Sequence, residues 1–151
     1  MIKALIFDID GVLILHKEWF PASLSNKKYN NPVAILSEFA DGPLNQECDR
    51  GILDPLEAIK PFLKEIKWEY DSKYFFDKQY EFESQYIDFK ILSMIKDLRQ
   101  QSLKLYIGSN QNYYRKSFLI NRMKLNEIFD ESFFHVTWGV LSQKINIGLA
   151  S

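Results

Sequence analysis

Apolar residues form a short, nearly unbroken run at residues 3–7, close to the start of the chain. Such a run is typical of a central β-strand that is covered on both faces. Two later segments, residues 103–107 and 133–136, are also rich in apolar residues and predict a second and a third strand. Residues 12–15 can continue from the first strand as a short β-flap.

Helix signals fill the sequence between these strands. Polar caps, prolines near helix starts and apolar residues at helical spacing predict five helices. They begin near Asn31, Asp54, Asp71, Tyr86 and Tyr113, and the first of them ends at Gly42. Asn31 is the expected N-cap of the first helix. Glu57 can close a capping box in the second helix, which Pro61 should break or kink.

The order of these elements predicts the fold class. Strands that alternate with helices imply a parallel sheet, so we expect an α/β protein with a Rossmann-like sheet. The segment 16–85 interrupts the alternation and is expected to form its own helical lobe, which leaves residues 1–15 and 86–151 for the α/β core. Aromatic residues between positions 68 and 86 alternate with acidic ones, which favours packing within the lobe over stacking on nucleic acid bases.

Composition narrows the function classes. Apolar residues make up 46% of the 151 residues, enough for one compact domain with an insert. A net charge of −1 and a pI of about 6.1 give no electrostatic basis for binding nucleic acid. No apolar run reaches roughly 18 residues and no signal-peptide pattern is present, so no membrane span is expected. Cys48 is the only cysteine, which excludes an internal disulfide and favours a cytoplasmic location.

The candidate chemistry starts with two carboxylates, Asp8 and Asp10, which follow the first strand and precede Gly11. Residues two positions apart on a strand point the same way, and open α/β sheets bind ligands beyond the carboxyl ends of their strands. One carboxylate could attack an electrophile while the other transfers a proton, and both suit a hard cation. The alternative is an ordinary strand followed by an Asp-Gly turn.

Further polar residues follow the later strands. Ser109 and Asn110 end the second strand, where a hydroxyl and backbone amides can hold a phosphoryl oxygen, although Ser-Asn is also an ordinary helix N-cap. Lys144 follows the third strand, either as a cation that neutralises phosphoryl charge or as a solvated lysine. His16 lies near the site or in a surface loop, and His135 is expected to be structural.

Together these residues resemble the motifs of the haloacid dehalogenase (HAD) superfamily of phosphohydrolases, over nearly the whole chain. The resemblance rests on residues 8–13, 49–57, 105–110 and 128–130. Dehalogenases of this superfamily generally lack the second aspartate, so the presence of Asp10 favours phosphoryl transfer.

The resemblance implies a role for each candidate residue. Asp8 would be the nucleophile that forms an aspartyl-phosphate, and Asp10 would protonate the leaving group and then activate water. Ser109 and Asn110 would bind the phosphoryl group, and Lys144 would steady its charge. The resemblance also implies Mg²⁺ as cofactor, held by Asp8 and Asp10, and a small phosphorylated metabolite selected by a helical cap at residues 16–85.

The chain departs from the family pattern in two places. The gap between Gly139 and Lys144 is wider than usual, and no proline follows the lysine. No Asp or Glu follows Glu131, so the acidic pair of the fourth motif is missing and we expect a family member that is cut short. One alternative to a Mg²⁺-dependent phosphatase is therefore a truncated or degenerate relative with little catalysis, kept as a binding protein or a gene remnant. Another is a phospho-acceptor domain of the response-regulator type, which the large insert disfavours.

Overall fold

A three-stranded parallel sheet organises the part of the chain that the computed structural model describes, residues 2–25 and 28–134. The strands are β1 (Ala4–Phe7), β2 (Lys104–Ser109) and β3 (Glu131–Phe134), in the order β1-β2-β3. The three predicted strands are confirmed, with β3 beginning two residues earlier than expected, because Glu131 already pairs with Tyr106. The end predicted for that strand, Val136, lies outside the described residues. The expectation that the first strand is covered on both faces is wrong for the described residues, since β1 lies at the edge of this sheet and Ile6 is 65% exposed.

Eight α-helices lie within these described residues. They are α1 (Phe20–Leu24), α2 (Pro32–Ala40), α3 (Pro43–Asp49), α4 (Pro55–Ala58), α5 (Lys60–Glu65), α6 (Ser72–Ser84), α7 (Phe89–Arg99) and α8 (Tyr113–Ser117). A π-helical turn (Phe118–Arg122) and a 3₁₀ turn (Leu125–Glu127) follow α8. We call α1 to α6 the helical lobe. No helix in the described ranges combines the length and the hydrophobicity needed to cross a bilayer.

Side-chain caps account for several helix starts. The carboxylate of Asp71 accepts a hydrogen bond from the Tyr74 amide at 2.7 Å, as the sequence predicts for α6. The predicted break at Pro61 is confirmed, since α4 ends at Ala58 and α5 begins at Lys60 with the proline in its first turn. The fourth predicted helix begins three residues late, because Asp88 caps it by accepting from the Lys90 and Ile91 amides.

Other local predictions hold only in part or are wrong. Asn31 holds the predicted N-cap position of α2, but its backbone is left-handed with a φ of 40° and its side chain makes no capping hydrogen bond. The carboxylate of Glu57 does not close a capping box and instead binds Lys60, one turn along. Helix α3 was not predicted, although Pro43 in its first turn after Gly42 is a start signal.

Two apolar clusters hold the molecule together. The first fills the helical lobe and includes the largest buried aromatics of the run between positions 68 and 86, Phe75, Phe76 and Tyr80. The packing interpretation of that run is thereby confirmed for these three residues. The second lies around the sheet and includes Leu105 and Ile107, both fully buried. Each fully buried side chain of this size contributes about 1.5–3 kcal/mol.

Asp130 joins the start of β3 to β2. Its carboxylate Oδ2 accepts a hydrogen bond from the Leu105 amide at 2.8 Å, and its own amide donates to the Leu105 carbonyl at 2.8 Å. The bond from the Leu105 amide, with a smaller contribution from Lys104, lowers the pKa of Asp130. The Phe-Asp pair that supports the family resemblance therefore has a structural function at the point where the third strand joins the sheet.

The Cys48 thiol should react slowly in the native protein. The residue is 1% exposed, and burial, with the nearby carboxylate of Asp49, raises the pKa of the thiol to about 11. At pH 8 its thiolate fraction should be about 100-fold lower than that of a free cysteine, before burial slows access further. Titration with a disulfide reagent measures the rate, and the same protein in guanidinium chloride is the control. Native and unfolded protein reacting at equal rates would contradict the burial of Cys48.

Candidate active site

A tight turn after β1 holds the two predicted carboxylates. Asp8 is exposed, and its Oδ1 accepts a hydrogen bond from the amide of Ile9, which is fully buried. Gly11 follows with a φ of 77°, a backbone conformation that other residues adopt only with strain. The chain then folds back on itself, since the Gly11 amide donates to the Ile14 carbonyl at 2.9 Å. This turn fixes Asp8 and Asp10 at the carboxyl end of the strand.

Parallel pairing brings the end of β2 to the same place. Phe7 of β1 is aligned with Ile107 of β2, so Ser109 lies just beyond the point where β1 ends. The side-chain amide of Gln111, which is 4% exposed, connects the two strand ends. Its Nε2 donates to Asp10 Oδ2 at 2.7 Å and to Ser109 Oγ at 3.0 Å. The structure thus unites two predicted site residues through a third that the sequence analysis did not single out.

The other carboxylate oxygen of Asp10 has two cationic or potentially cationic neighbours. Oδ1 lies 2.7 Å from Nε2 of His16 and 2.7 Å from Nη2 of Arg115. Burial raises the pKa of Asp10, but the hydrogen bonds from His16 and Gln111 and the charge of Arg115 outweigh it, so that the pKa is lowered. The charged carboxylate is therefore the form that this arrangement stabilises.

Arg115 extends this set of contacts into the helical lobe. Its Nη1 lies 2.7 Å from Oε2 of Glu83, which α6 contributes, and its guanidinium lies 5.8 Å from the centre of the Tyr80 ring. The Tyr80 hydroxyl donates a hydrogen bond to Oδ1 of Asn112, the N-cap of α8, at 3.4 Å. Burial raises the pKa of this tyrosine. The helical lobe and the sheet therefore meet through buried polar side chains at this point.

A cavity of about 210 Å³ opens next to Asp10, between the helical lobe and the sheet. Its polar lining comprises Asp10, Asn45, Asp49, Gln79, Asn110, Gln111, Asn112 and Arg115. The apolar wall includes the aromatic side chains of Phe39 and Phe75 in the lobe and of Trp19 just before it. Pockets that hold larger ligands span about 300–1,000 Å³, so this cavity suits a compact molecule.

The sequence-predicted site residues have the following places. Asp10 and Ser109 meet through Gln111, Asp8 lies exposed on the adjoining turn, and Asn110 lines the cavity. His16 belongs to the site rather than to a remote surface loop, since it bonds Asp10. The predicted residues Lys144 and His135 lie outside the described residues.

The metal chemistry of the site rests on few donors. Within residues 2–25 and 28–134, no group of three or more His, Cys, Asp or Glu side chains could hold a metal ion. The exposed carboxylate of Asp8 is the kind of hard oxygen donor that Mg²⁺ takes together with water molecules. Both carboxylate oxygens of Asp10 are engaged by protein donors, so its main-chain carbonyl is the group that suits a cation.

Comparison with solved structures identifies the fold. A HAD-family enzyme from Bacteroides thetaiotaomicron, crystallised with magnesium and inorganic phosphate, matches with a TM-score of 0.67 and 17% identity over 97% of this chain and 80% of that one. A HAD-like family hydrolase from Porphyromonas gingivalis matches with a TM-score of 0.66 and 18% identity, over 99% and 78% of the two chains.

A third structure supports the same conclusion. The HAD-hydrolase YfnB from Bacillus subtilis, bound to magnesium, matches with a TM-score of 0.57 and 17% identity over 99% of this chain and 77% of that one. No family model and no curated protein matches the sequence. The chain therefore has the HAD-like α/β fold, at a level of identity that leaves its activity to be argued from the site.

Proposed function

We propose that this protein is a Mg²⁺-dependent phosphatase that hydrolyses a small phosphorylated metabolite through an aspartyl-phosphate on Asp8. The observation that carries the proposal is the link of Asp10 to Ser109 through Gln111 at the carboxyl ends of two paired strands, with Asp8 exposed on the adjoining turn and a cavity next to Asp10. Two similar structures that contain magnesium, one of them with inorganic phosphate, support the same chemistry.

In the first step, Asp8 attacks the phosphorus atom of the substrate. Its exposed carboxylate is accessible, and the Ile9 amide that binds Oδ1 leaves Oδ2 for the attack. A bond forms between Asp8 and phosphorus while the bond to the leaving oxygen breaks, and Asp10 supplies the proton that this oxygen takes up. Ser109 and Asn110 would bind the phosphoryl oxygens during transfer.

In the second step, water hydrolyses the aspartyl-phosphate. Asp10, now a carboxylate, takes a proton from the water as the new bond to phosphorus forms. The bond between Asp8 and phosphorus breaks, which releases inorganic phosphate and restores both carboxyl groups. The donors around Asp10 favour its charged form, which suits the role of base. Lys144 would steady the phosphoryl charge, by the family resemblance.

When bound, Mg²⁺ would neutralise part of the phosphoryl charge, with the Asp8 carboxylate and the Asp10 carbonyl as its protein ligands. The segment 16–85, which contains the helical lobe, would act as the cap. The cavity next to Asp10 would then receive the leaving group, because it lies between the lobe and the residue that protonates the leaving oxygen.

Hydrolysis of p-nitrophenyl phosphate tests this proposal. We expect release of nitrophenol in millimolar Mg²⁺ and loss of that activity when the metal is chelated, with recovery when Mg²⁺ is restored. Equal rates in the presence of Mg²⁺ and of chelator would contradict the metal dependence. Absence of turnover in both would contradict the proposed phosphatase.

A specific observation favours a second candidate, a degenerate relative that binds phosphate compounds with little catalysis. Both oxygens of Asp10 already have protein partners, and the pKa of Asp10 is lowered, which disfavours proton donation to a leaving group. Calorimetric titration with inorganic phosphate and Mg²⁺ separates the candidates. Binding without turnover of any phosphate ester would support the second.

A further inference from the structure

We propose that Arg115 is a positioning residue for Asp10 and that Glu83 of the helical lobe holds Arg115 in place. The lobe would thereby set the orientation of the carboxylate that transfers protons. The catalytic part of this inference rests on the proposed phosphatase function, whereas the contacts themselves can be tested without any activity.

The two terminal nitrogens of Arg115 divide between two carboxylates. Nη2 lies 2.7 Å from Asp10 Oδ1, and Nη1 lies 2.7 Å from Glu83 Oε2. A guanidinium is a rigid planar group, so fixing one nitrogen also fixes the direction of the other. The Arg115 amide donates to Oδ1 of Asn112 at 3.0 Å, which anchors the backbone of the same residue at the start of α8.

The buried carboxylate of Glu83 is paired with the guanidinium of Arg115. Its side chain is 6% exposed, and the Arg115 side chain is 12% exposed, so water screens their attraction only weakly. Oε1 of Glu83 accepts a hydrogen bond from Gln79, whereas Oε2 has the ion pair with Arg115 and no hydrogen bond. A buried carboxylate is strongly disfavoured when its cation is removed, so the ion pair with Glu83 restrains the Arg115 side chain.

Asp10 is held from three segments of the chain. Arg115 and His16 bind Oδ1, and Gln111 binds Oδ2 from the end of β2. A displacement of about 1 Å at a catalytic group can cost roughly 100-fold in rate. Without Arg115 the carboxylate loses its link to the lobe, so proton transfer should suffer while phosphate binding by other residues persists.

An exposed pair between the same two regions provides a matched control. Nη2 of Arg122, in the turn after α8, lies 3.5 Å from Oε1 of Glu81 in α6. Their side chains are 68% and 42% exposed, and pairs of this kind contribute little. Arg122→Met therefore removes an arginine from the same junction without touching Asp10.

The experiment compares Arg115→Met, Arg115→Lys, Glu83→Gln and Arg122→Met in two measurements. The first is the ¹⁵N spectrum of histidine-labelled protein without metal or substrate, which is simple because the chain has two histidines. The His16 signal should move in Arg115→Met and, by less, in Glu83→Gln, because His16 and Arg115 share Oδ1 of Asp10. Arg122→Met should leave it in place.

The second measurement is steady-state hydrolysis of an alkyl phosphate. Arg115→Met should lower kcat about 10- to 100-fold with KM changed less than about threefold, and Arg115→Lys should recover part of the loss. An unmoved His16 signal in Glu83→Gln would overturn the proposal, even if Arg115→Met fails to fold. A parallel rise in KM with constant kcat would make Arg115 a substrate ligand and would also overturn it. If the wild-type protein has no activity, the proposed function fails and the spectra alone decide the positioning role.

Discussion

Asp8→Asn should abolish phosphatase activity and leave the protein folded. The amide oxygen of asparagine can still accept the Ile9 amide bond, so the turn after β1 keeps its geometry. An amide is not a competent nucleophile toward phosphorus, and loss of an enzyme's nucleophile typically costs about 10⁴-fold or more. Hydrolysis of p-nitrophenyl phosphate in millimolar Mg²⁺ measures the effect.

Asp41→Asn is the matched control for this substitution. Asp41 is exposed at the end of α2 and does not line the cavity next to Asp10, so the same charge is removed outside the candidate site. This variant should retain the parent rate, and thermal unfolding of both variants should stay within a few degrees of the parent. Asp8→Asn protein that turns over at the parent rate would rule out Asp8 as the nucleophile.

The sequence predicts the sheet because its signals are local. A short apolar run ends at Phe7, and a second run contains Leu105 and Ile107; both runs pair as parallel strands in the structure. Two aspartates at the end of the first run and Ser109 at the end of the second must then lie at one edge of the sheet. Strand direction and strand ends are therefore enough to locate the candidate site.

The contacts within the site cannot be predicted in the same way. Gln111 and Arg115 reach Asp10 across 101 and 105 positions of sequence. In the sequence, these two residues look like part of an ordinary helix start. Their contact with Asp10 is determined by how the chain packs and cannot be deduced from sequence spacing. The position of Gln111 two residues after Ser109 was a usable signal, since alternate residues can face the same side. Glu83 gave none, because Glu81 of the same helix is exposed and nothing in the sequence distinguishes the two acidic residues.

Helix boundaries failed for a related reason. The fifth predicted helix begins at Tyr113 as expected, but its α-helical part ends at Ser117 and a π-helical turn follows from Phe118. The apolar contacts of this turn extend to both clusters, since Phe118 packs against the lobe and Leu119 is buried beside the sheet. The local sequence does not show that neighbouring residues of one helix will pack against two separate clusters, so the change to a π-helical turn was not predicted.

Asp10→Asn should slow hydrolysis by about 10²- to 10⁴-fold, the usual contribution of a general acid–base residue. Asparagine can still accept bonds from His16 and Arg115 through its oxygen, and the Gln111 amide can turn to match the new donor. The loss should be larger for an alkyl phosphate than for p-nitrophenyl phosphate, because nitrophenolate leaves without needing a proton. Rates for both esters, with Asp41→Asn as the control, test this difference. Equal losses on the two esters would restrict Asp10 to the hydrolysis of the aspartyl-phosphate, and an unchanged rate would remove it from the mechanism.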